Sequence, residues 1–261
     1  MRTRFVILAQ PRTGSTLVCS LLNSVPGVRT LIEPINPIGH AHHMQPIPGS
    51  TRLLPDEFVQ NDIAGAIDLL LREEPTPAAY ALSKRPAPVA AGFKIMAHQI
   101  RALDDEFGFW QHLRQADIKV IVVLRYNILW QYVSDLTTIA TGQPTAWEGF
   151  DKVKRAKIDV PLDRLEAGLA RIMAEKRYLL DQTRTLEHRR LVYEDFKNNY
   201  QVVEDLLPWL IGYKHKVTTK LQKQNPDNLR ARVANFKALT GELHKLGLNH
   251  LIQEYNHGPS S

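Results

Sequence analysis

Residues 5–23, FVILAQPRTGSTLVCSLLN, decide how the chain reads. Phe5, Val6, Ile7, Leu8 and Ala9 form an unbroken apolar run, the pattern of a strand covered on both faces. Residues 10–15 hold the turn formers Pro11 and Gly14. Residues 16–23 return to helical spacing through Leu17, Leu21 and Leu22. A strand, a tight turn and a helix in this order aim several backbone N–H groups at one point, where the helix dipole also favours an anion. Gly14 lets the backbone approach closely, Arg12 adds a fixed cation, and Ser15 and Thr16 add hydroxyl donors. Without further support, the same residues describe an ordinary βα turn capped by Ser or Thr.

The loop lacks the Gly-Lys-Ser/Thr ending of the Walker A type, which argues against ATP or GTP as its ligand. Bulk properties set the frame. The chain has 261 residues, 44% hydrophobic and 23% charged, with a formal net charge of +6. That suits a soluble α/β domain and anionic ligands. The positive charge is dispersed rather than gathered in a tail or stripe, so nucleic acid is not an expected partner. A single cysteine, Cys19, lies in the apolar first helix. It excludes an internal disulfide and reads as a small buried hydrophobe. The first apolar run is too short for a signal segment or a membrane span, so a cytoplasmic protein without membrane insertion is expected.

Along the chain, Val28–Ile32 is a short second strand, closed by Glu33-Pro34. Residues 34–55 are rich in Pro, Gly and His and form a long loop, a feature that often marks a binding segment. Residues 55–72 are helical, 75–88 are a second excursion, and 89–96 form a strand with Lys94 near its end. Residues 103–114 are a helix. KVIVVL, 119–124, is the clearest strand, with Arg125 at its carboxyl end and Asn127 placed to cap the next helix, which runs to about residue 140. Residues 141–161 are irregular and 162–186 make a long amphipathic helix. Residues 190–193 form the last strand, 200–211 a helix, and the chain is helical again from 227. This alternation predicts a three-layer α/β domain of the P-loop-like kind spanning 1–261, a mostly parallel sheet with helices on both faces. Ligands then lie beyond the carboxyl ends of the strands, where Arg12, Glu33, Lys94 and Arg125 converge. Asn127, Gln131 and Ser134 share the helix face nearest Arg125, so an Arg fork and a Ser hydroxyl could form a second phosphate site; the same residues equally describe a structural ion pair of Arg125 and a surface or capping serine.

PRTGST after the first strand, Arg125 with Ser134 nine residues on, and LVYEDF near the end together resemble sulfotransferases that use 3′-phosphoadenosine 5′-phosphosulfate (PAPS). The likeness is strongest to the bacterial branch acting on glycolipids, nodulation factors and trehalose. The resemblance implies that Pro11, Arg12, Thr13, Gly14, Ser15 and Thr16 form the 5′-phosphosulfate loop and that Arg125 and Ser134 hold the 3′-phosphate. It further implies that Tyr193, Lys223 and Gln224 border the nucleotide. It assigns Glu33, in IEPIN, as general base and Lys94, in AAGFKIM, as the charge that stabilises the leaving or sulfuryl oxygens. His98, four residues beyond Lys94, is the rival base. A sulfuryl group carries less charge than a phosphoryl group, so no metal is expected. His40, His42 and His43, in HAHH, have the density of a zinc site, but only Glu33 is nearby to complete a ligand set. An acceptor contact suits them better. Trp147 could stack on a sugar ring, but core packing or simple exposure accounts for it more readily. The acceptor class is a carbohydrate or glycolipid hydroxyl, and a homodimer is compatible with the family. A P-loop small-molecule kinase and a non-catalytic anion-binding protein are the alternatives.

Overall fold

The computed structural model describes residues 2–33, 62–72, 89–103, 105–146, 156–222 and 228–252. Its centre is a five-stranded sheet in which every pairing is parallel. The strands are β1 (Thr3–Ala9), β2 (Val28–Ile32), β3 (Ala90–Met96), β4 (Ile118–Leu124) and β5 (His188–Val192), in the order β2-β3-β1-β4-β5. The helices are α1 (Ser15–Asn23), α2 (Ile63–Arg72), α3 (Ala97–Ile100), α4 (Glu106–Gln115), α5 (Ile128–Thr141), α6 (Leu165–Thr183), α7 (Tyr193–Phe196), α8 (Gln201–Ile211), α9 (Leu229–Arg232) and α10 (Phe236–Lys245).

The apolar runs become strands because both faces of the sheet are covered. Val6, Leu8, Phe93, Ile95, Val120 and Val122 point to one side and pack against α2, α4 and α6. Phe5, Ile7, Ala9, Ile121 and Val123 point to the other and pack against α1 and α8. A third cluster joins α5 to α6, α9 and α10 beside the sheet. Each fully buried side chain of this kind contributes about 1.5–3 kcal/mol against conformational entropy. The α/β architecture expected from the alternation is therefore present, with strands on a two-residue period between two helical layers. At one sheet edge β5 exposes Arg189 and Arg190, charges that discourage pairing with another strand.

The strand order also fixes where a ligand can lie. From β1 the chain runs through α1 to β2 on one side, and from β4 it runs through α5 to β5 on the other. The two connections diverge between the adjacent strands β1 and β4, and this opens a crevice at their carboxyl ends. Among the described residues no helix is long and apolar enough to cross a membrane.

Several boundaries move. The last strand begins at His188, and Tyr193 opens α7 rather than closing β5. The long helix starts with a 3-10 turn, Leu162–Arg164, and ends at Thr183. Residues 34–55, 75–88 and the middle of the 141–161 segment, with His40, His42, His43 and Trp147, lie outside the described residues. So do Lys223 and Gln224.

Candidate active site

Each of the five strands delivers a side chain to the same edge. Following the sheet across, these are Glu33 after β2, Lys94 within β3, the loop after β1, Arg125 after β4 and Tyr193 after β5. Arg12, Glu33, Lys94 and Arg125 all lie at this edge, in two bonded pairs: Arg125 with the Arg12 carbonyl and Lys94 with Glu33.

The loop after β1 is held by one bond of its own and two from outside. Thr13 Oγ1 donates to the Gln10 carbonyl (2.9 Å), Gln131 Nε2 to that of Pro11 (2.8 Å) and Arg125 Nη1 to that of Arg12 (3.1 Å). Three successive carbonyls are thus tied to donors, which keeps their oxygens from repelling an anion. At the start of α1 stands Gly14, with φ 81° and no side-chain cap. The Ser or Thr cap of an ordinary turn is therefore not used. A Cβ on Gly14 would meet the Tyr193 ring at 2.5 Å, so both the backbone angle and the close ring demand glycine. Tyr193 in turn lies under the Arg125 guanidinium, 4.5 Å from its ring centre.

Arg12 reaches across to the far connection. Its Nε donates to Ser134 Oγ (3.0 Å) and its Nη1 to the Pro144 carbonyl (2.6 Å). Burial pushes its guanidinium down to about 10, Arg125 adding to the effect and Asp135 opposing it, so it stays charged at neutral pH. Two guanidinium groups thus crowd one loop. Glu194 lies 4.0 Å from Arg125, but its carboxylate accepts from the backbone N–H groups of Tyr126 and Asn127 (3.1 and 3.0 Å).

Asn127 caps α5 as its position suggests, accepting from Trp130 N at 3.0 Å. Its amide nitrogen then donates to the Leu251 carbonyl (3.1 Å), so the residue fixes the helix and not a ligand. Of the expected trio, Gln131 and Ser134 face the loop and Asn127 does not.

The opposite half of the edge is built around Lys94. Its side chain is 1% exposed, on the same sheet face as α1. A lysine so deeply placed needs partners, since burying an unpaired charge is costly. Its Nζ lies 2.8 Å from Glu33 Oε1 and donates to Thr16 Oγ1 at 3.0 Å. Glu33 Oε2 accepts from Gln99 Nε2 (3.0 Å), and the Glu33 backbone N–H donates to the Lys94 carbonyl (3.0 Å). Burial pushes the Glu33 carboxyl up. The charge of Lys94, the hydrogen bonds from Lys94 and Gln99, and the charge of His98 outweigh this and hold it below the usual carboxylate range. His98, on α3, is held below its ordinary value chiefly by burial, with Glu175 and Glu33 opposing. Burial pushes Cys19 up to about 12, so it stays a neutral thiol and packs as a hydrophobe.

Arg12 (φ 64°) and Glu33 (φ 50°) are the non-glycine residues with positive φ among the described residues. This region costs an ordinary side chain about 1–3 kcal/mol, and such strain gathers at functional positions. Gln99 and Glu194 were not picked out from the sequence. The signal for Gln99 was its place at the third position of the helix that follows Met96, where Gln serves a capping box.

No family model matches the chain, and no curated protein matches it. Sixteen solved chains match in structure. One is a sulfotransferase from Alicyclobacillus acidocaldarius, 16% identical, covering 97% of this chain and 96% of that one at a TM-score of 0.46. Another is the sulfotransferase domain of the Synechococcus PCC 7002 olefin synthase, 17% identical over 83% of this chain and 76% of that one, at a TM-score of 0.41. A third is the sulfotransferase domain from the curacin biosynthetic pathway, 16% identical with the same coverage, at a TM-score of 0.42.

Proposed function

We propose that the chain is a sulfotransferase that moves a sulfuryl group from PAPS to a hydroxyl of a carbohydrate or glycolipid acceptor. One observation carries the reading: Arg12 and Arg125 crowd a loop whose three leading carbonyls are tied back, at the uncapped start of α1 and in the crevice between β1 and β4. Two like charges side by side are relieved by an anion between them, and a donor with phosphate groups at two positions suits two guanidiniums. The absence of a lysine at the loop end sets it apart from an ATP or GTP loop.

In this reading the donor supplies a sulfuryl group already activated by its bond to phosphate. Arg125 and Ser134 hold the 3′-phosphate, and Arg12 with the loop N–H groups faces the 5′-phosphosulfate. When the acceptor oxygen bonds to sulfur, the bond from sulfur to the bridging phosphate oxygen breaks and negative charge grows on that oxygen. Arg12 and Lys94 stand where donors stabilise such charge. The acceptor proton goes to Glu33, which is ionised at neutral pH and whose side chain is 21% exposed. Tyr193, packed against Gly14 and Arg125, forms a wall beside the nucleotide.

Thermal melting tests the donor. A ligand at about 100 times its Kd stabilises the fold by about 2.7 kcal/mol. The expected result is a raised Tm with 3′,5′-adenosine bisphosphate and none with ATP and magnesium. A shift with ATP alone overturns the reading in favour of a kinase. Labelled PAPS offered to a panel of sugars, glycolipids and phenols then identifies the acceptor.

A further inference from the structure

The proposed base is held by two donors of different character, and only one of them is free to stay. Lys94 binds Glu33 Oε1 at 2.8 Å but also donates to Thr16 of the anion loop at 3.0 Å. Its ammonium therefore sits between the carboxylate and the place where an anionic group is expected, and an incoming anion competes for it. Gln99 is instead anchored on the backbone at the end of β3. It is 1% exposed, its Oε1 accepts from the Met96 backbone N–H (2.8 Å), and its Nε2 donates to Glu33 Oε2 (3.0 Å). These two contacts fix the amide orientation. Reversed, the amide nitrogen would face a backbone N–H and the oxygen a carboxylate, a clash of donors and a clash of acceptors.

We propose that Gln99 is a positioning residue for Glu33: its amide, anchored on the backbone at the end of β3, holds the carboxylate in place while Lys94 turns to the transferring group. The inference rests on the sulfotransferase reading. Each Glu33 oxygen keeps a second lone pair after these bonds, so a substrate proton can still be accepted. The anchoring matters because Glu33, directly after β2, has a strained backbone conformation, φ 50°. The groups that act on the carboxylate are Lys94 from β3 and His98 and Gln99 from α3, with Thr16 of α1 bonded to Lys94. Behind His98 lie Glu175 and Arg171 of α6 and Asp135 of α5. None of these is altered by a substitution at Gln99.

The decisive variant is Gln99→Glu. A glutamate keeps an oxygen for the Met96 N–H, as a capping box allows, but cannot donate to Glu33 when ionised. The first readout needs no nucleotide: carboxyl carbon signals of 13C-labelled glutamate, with Glu33 assigned by its loss in Glu33→Gln. The expected result is a Glu33 titration moved to higher pH and a lowered Tm, since a second carboxylate is buried beside the first, with affinity of the folded protein for 3′,5′-adenosine bisphosphate near wild type. Turnover of PAPS to the bisphosphate should fall at least ~10-fold in kcat, with little change in the donor KM. In the Glu33→Gln background the same substitution should cause no further loss. Glu33 titration and turnover both matching wild type overturn the proposal and leave Gln99 as a helix cap. A large Tm loss with Gln99→Leu, which removes both bonds, combined with unchanged turnover per folded molecule, overturns it as well. Failure of wild-type protein to bind the bisphosphate strikes the donor reading instead, because the carboxyl titration is read without it.

Discussion

The two halves of the sheet edge treat charge in opposite ways. On the β4 and β5 side, two guanidiniums crowd one loop: Arg12 donates to a hydroxyl and a backbone carbonyl, and Arg125 donates to a backbone carbonyl with Glu194 4.0 Å away. On the β2 and β3 side, Lys94 and Glu33 form a pair that neutralises itself, closed by an uncharged amide. The first half gathers two cations at one loop. The second is balanced until something draws Lys94 away. In the proposed sulfotransferase, the difference would separate the tasks of a group transfer: the cationic half would bind and stabilise developing charge, and the paired half would handle the proton. The loop after β1 lies between them and touches both, through Arg12 on one side and Thr16 on the other.

If that division holds, damage to each half should appear in a different measurement. The largest effect is expected from Glu33→Gln. It should lower PAPS turnover by about 10²–10⁴-fold with bisphosphate affinity unchanged, read by product formation and calorimetry side by side. A loss of affinity equal to the loss of turnover would erase the distinction between the halves. Arg125→Ala should do the reverse. Removing a charge-assisted contact costs about 1.5–3 kcal/mol, so bisphosphate Kd should rise by about ten- to a hundredfold, while the Glu33 titration stays where it was. Unchanged affinity would remove Arg125 from the phosphate site.

Gly14→Ala sharpens the comparison from the centre. The new methyl would stand 2.5 Å from the Tyr193 ring at a φ of 81°, so Tyr193 and the Arg125 stacked on it must move. A stability loss of about 1–3 kcal/mol is expected, with bisphosphate affinity impaired and the Glu33–Lys94 pair intact. Thermal melting with and without the nucleotide checks both parts.

How much of this was readable beforehand follows from what sequence carries well. The strand–turn–helix at residues 5–23, the KVIVVL strand and the parallel α/β layers are written in apolar periodicity, which local sequence states directly. Lys94 was visible from its place near the end of a strand and from the resemblance of AAGFKIM. Which partner was not visible, because Glu33 and Thr16 come from distant segments and meet only through the register of β2 with β3 and the packing of α1. Asn127 was legible as a cap but not as a residue turned to Leu251, a contact spanning 124 positions. Gln99 was passed over because its capping role is local and its grip on Glu33 is not. Tyr193 was found through the resemblance of LVYEDF. Its reason for being there, the missing side chain of Gly14, belongs to three dimensions alone.

The smallest expected effect concerns pH, and it decides between the two candidate bases. The Glu33 carboxyl is held below its ordinary value by Lys94, Gln99 and His98 against the pull of burial. A carboxyl depressed on folding adds stability that is present above the unfolded value of about 4.3 and is lost as pH falls through the folded one. The stability gap between wild type and Glu33→Gln should therefore be constant near neutrality and close only in that acid window, as denaturant titrations at several pH values would reveal. The same ionisation governs the acid limb of kcat/KM, which reports the free enzyme. With Glu33 as base, activity persists as pH drops past the histidine range and fails only among the carboxylates. With His98 as base, the limb lies below the ordinary imidazole value, because burial has lowered its proton affinity, and it does not depend on Glu33. An acid limb retained in Glu33→Gln would transfer the proton step to α3 and leave the Glu33–Lys94 pair as a charge reservoir for the loop.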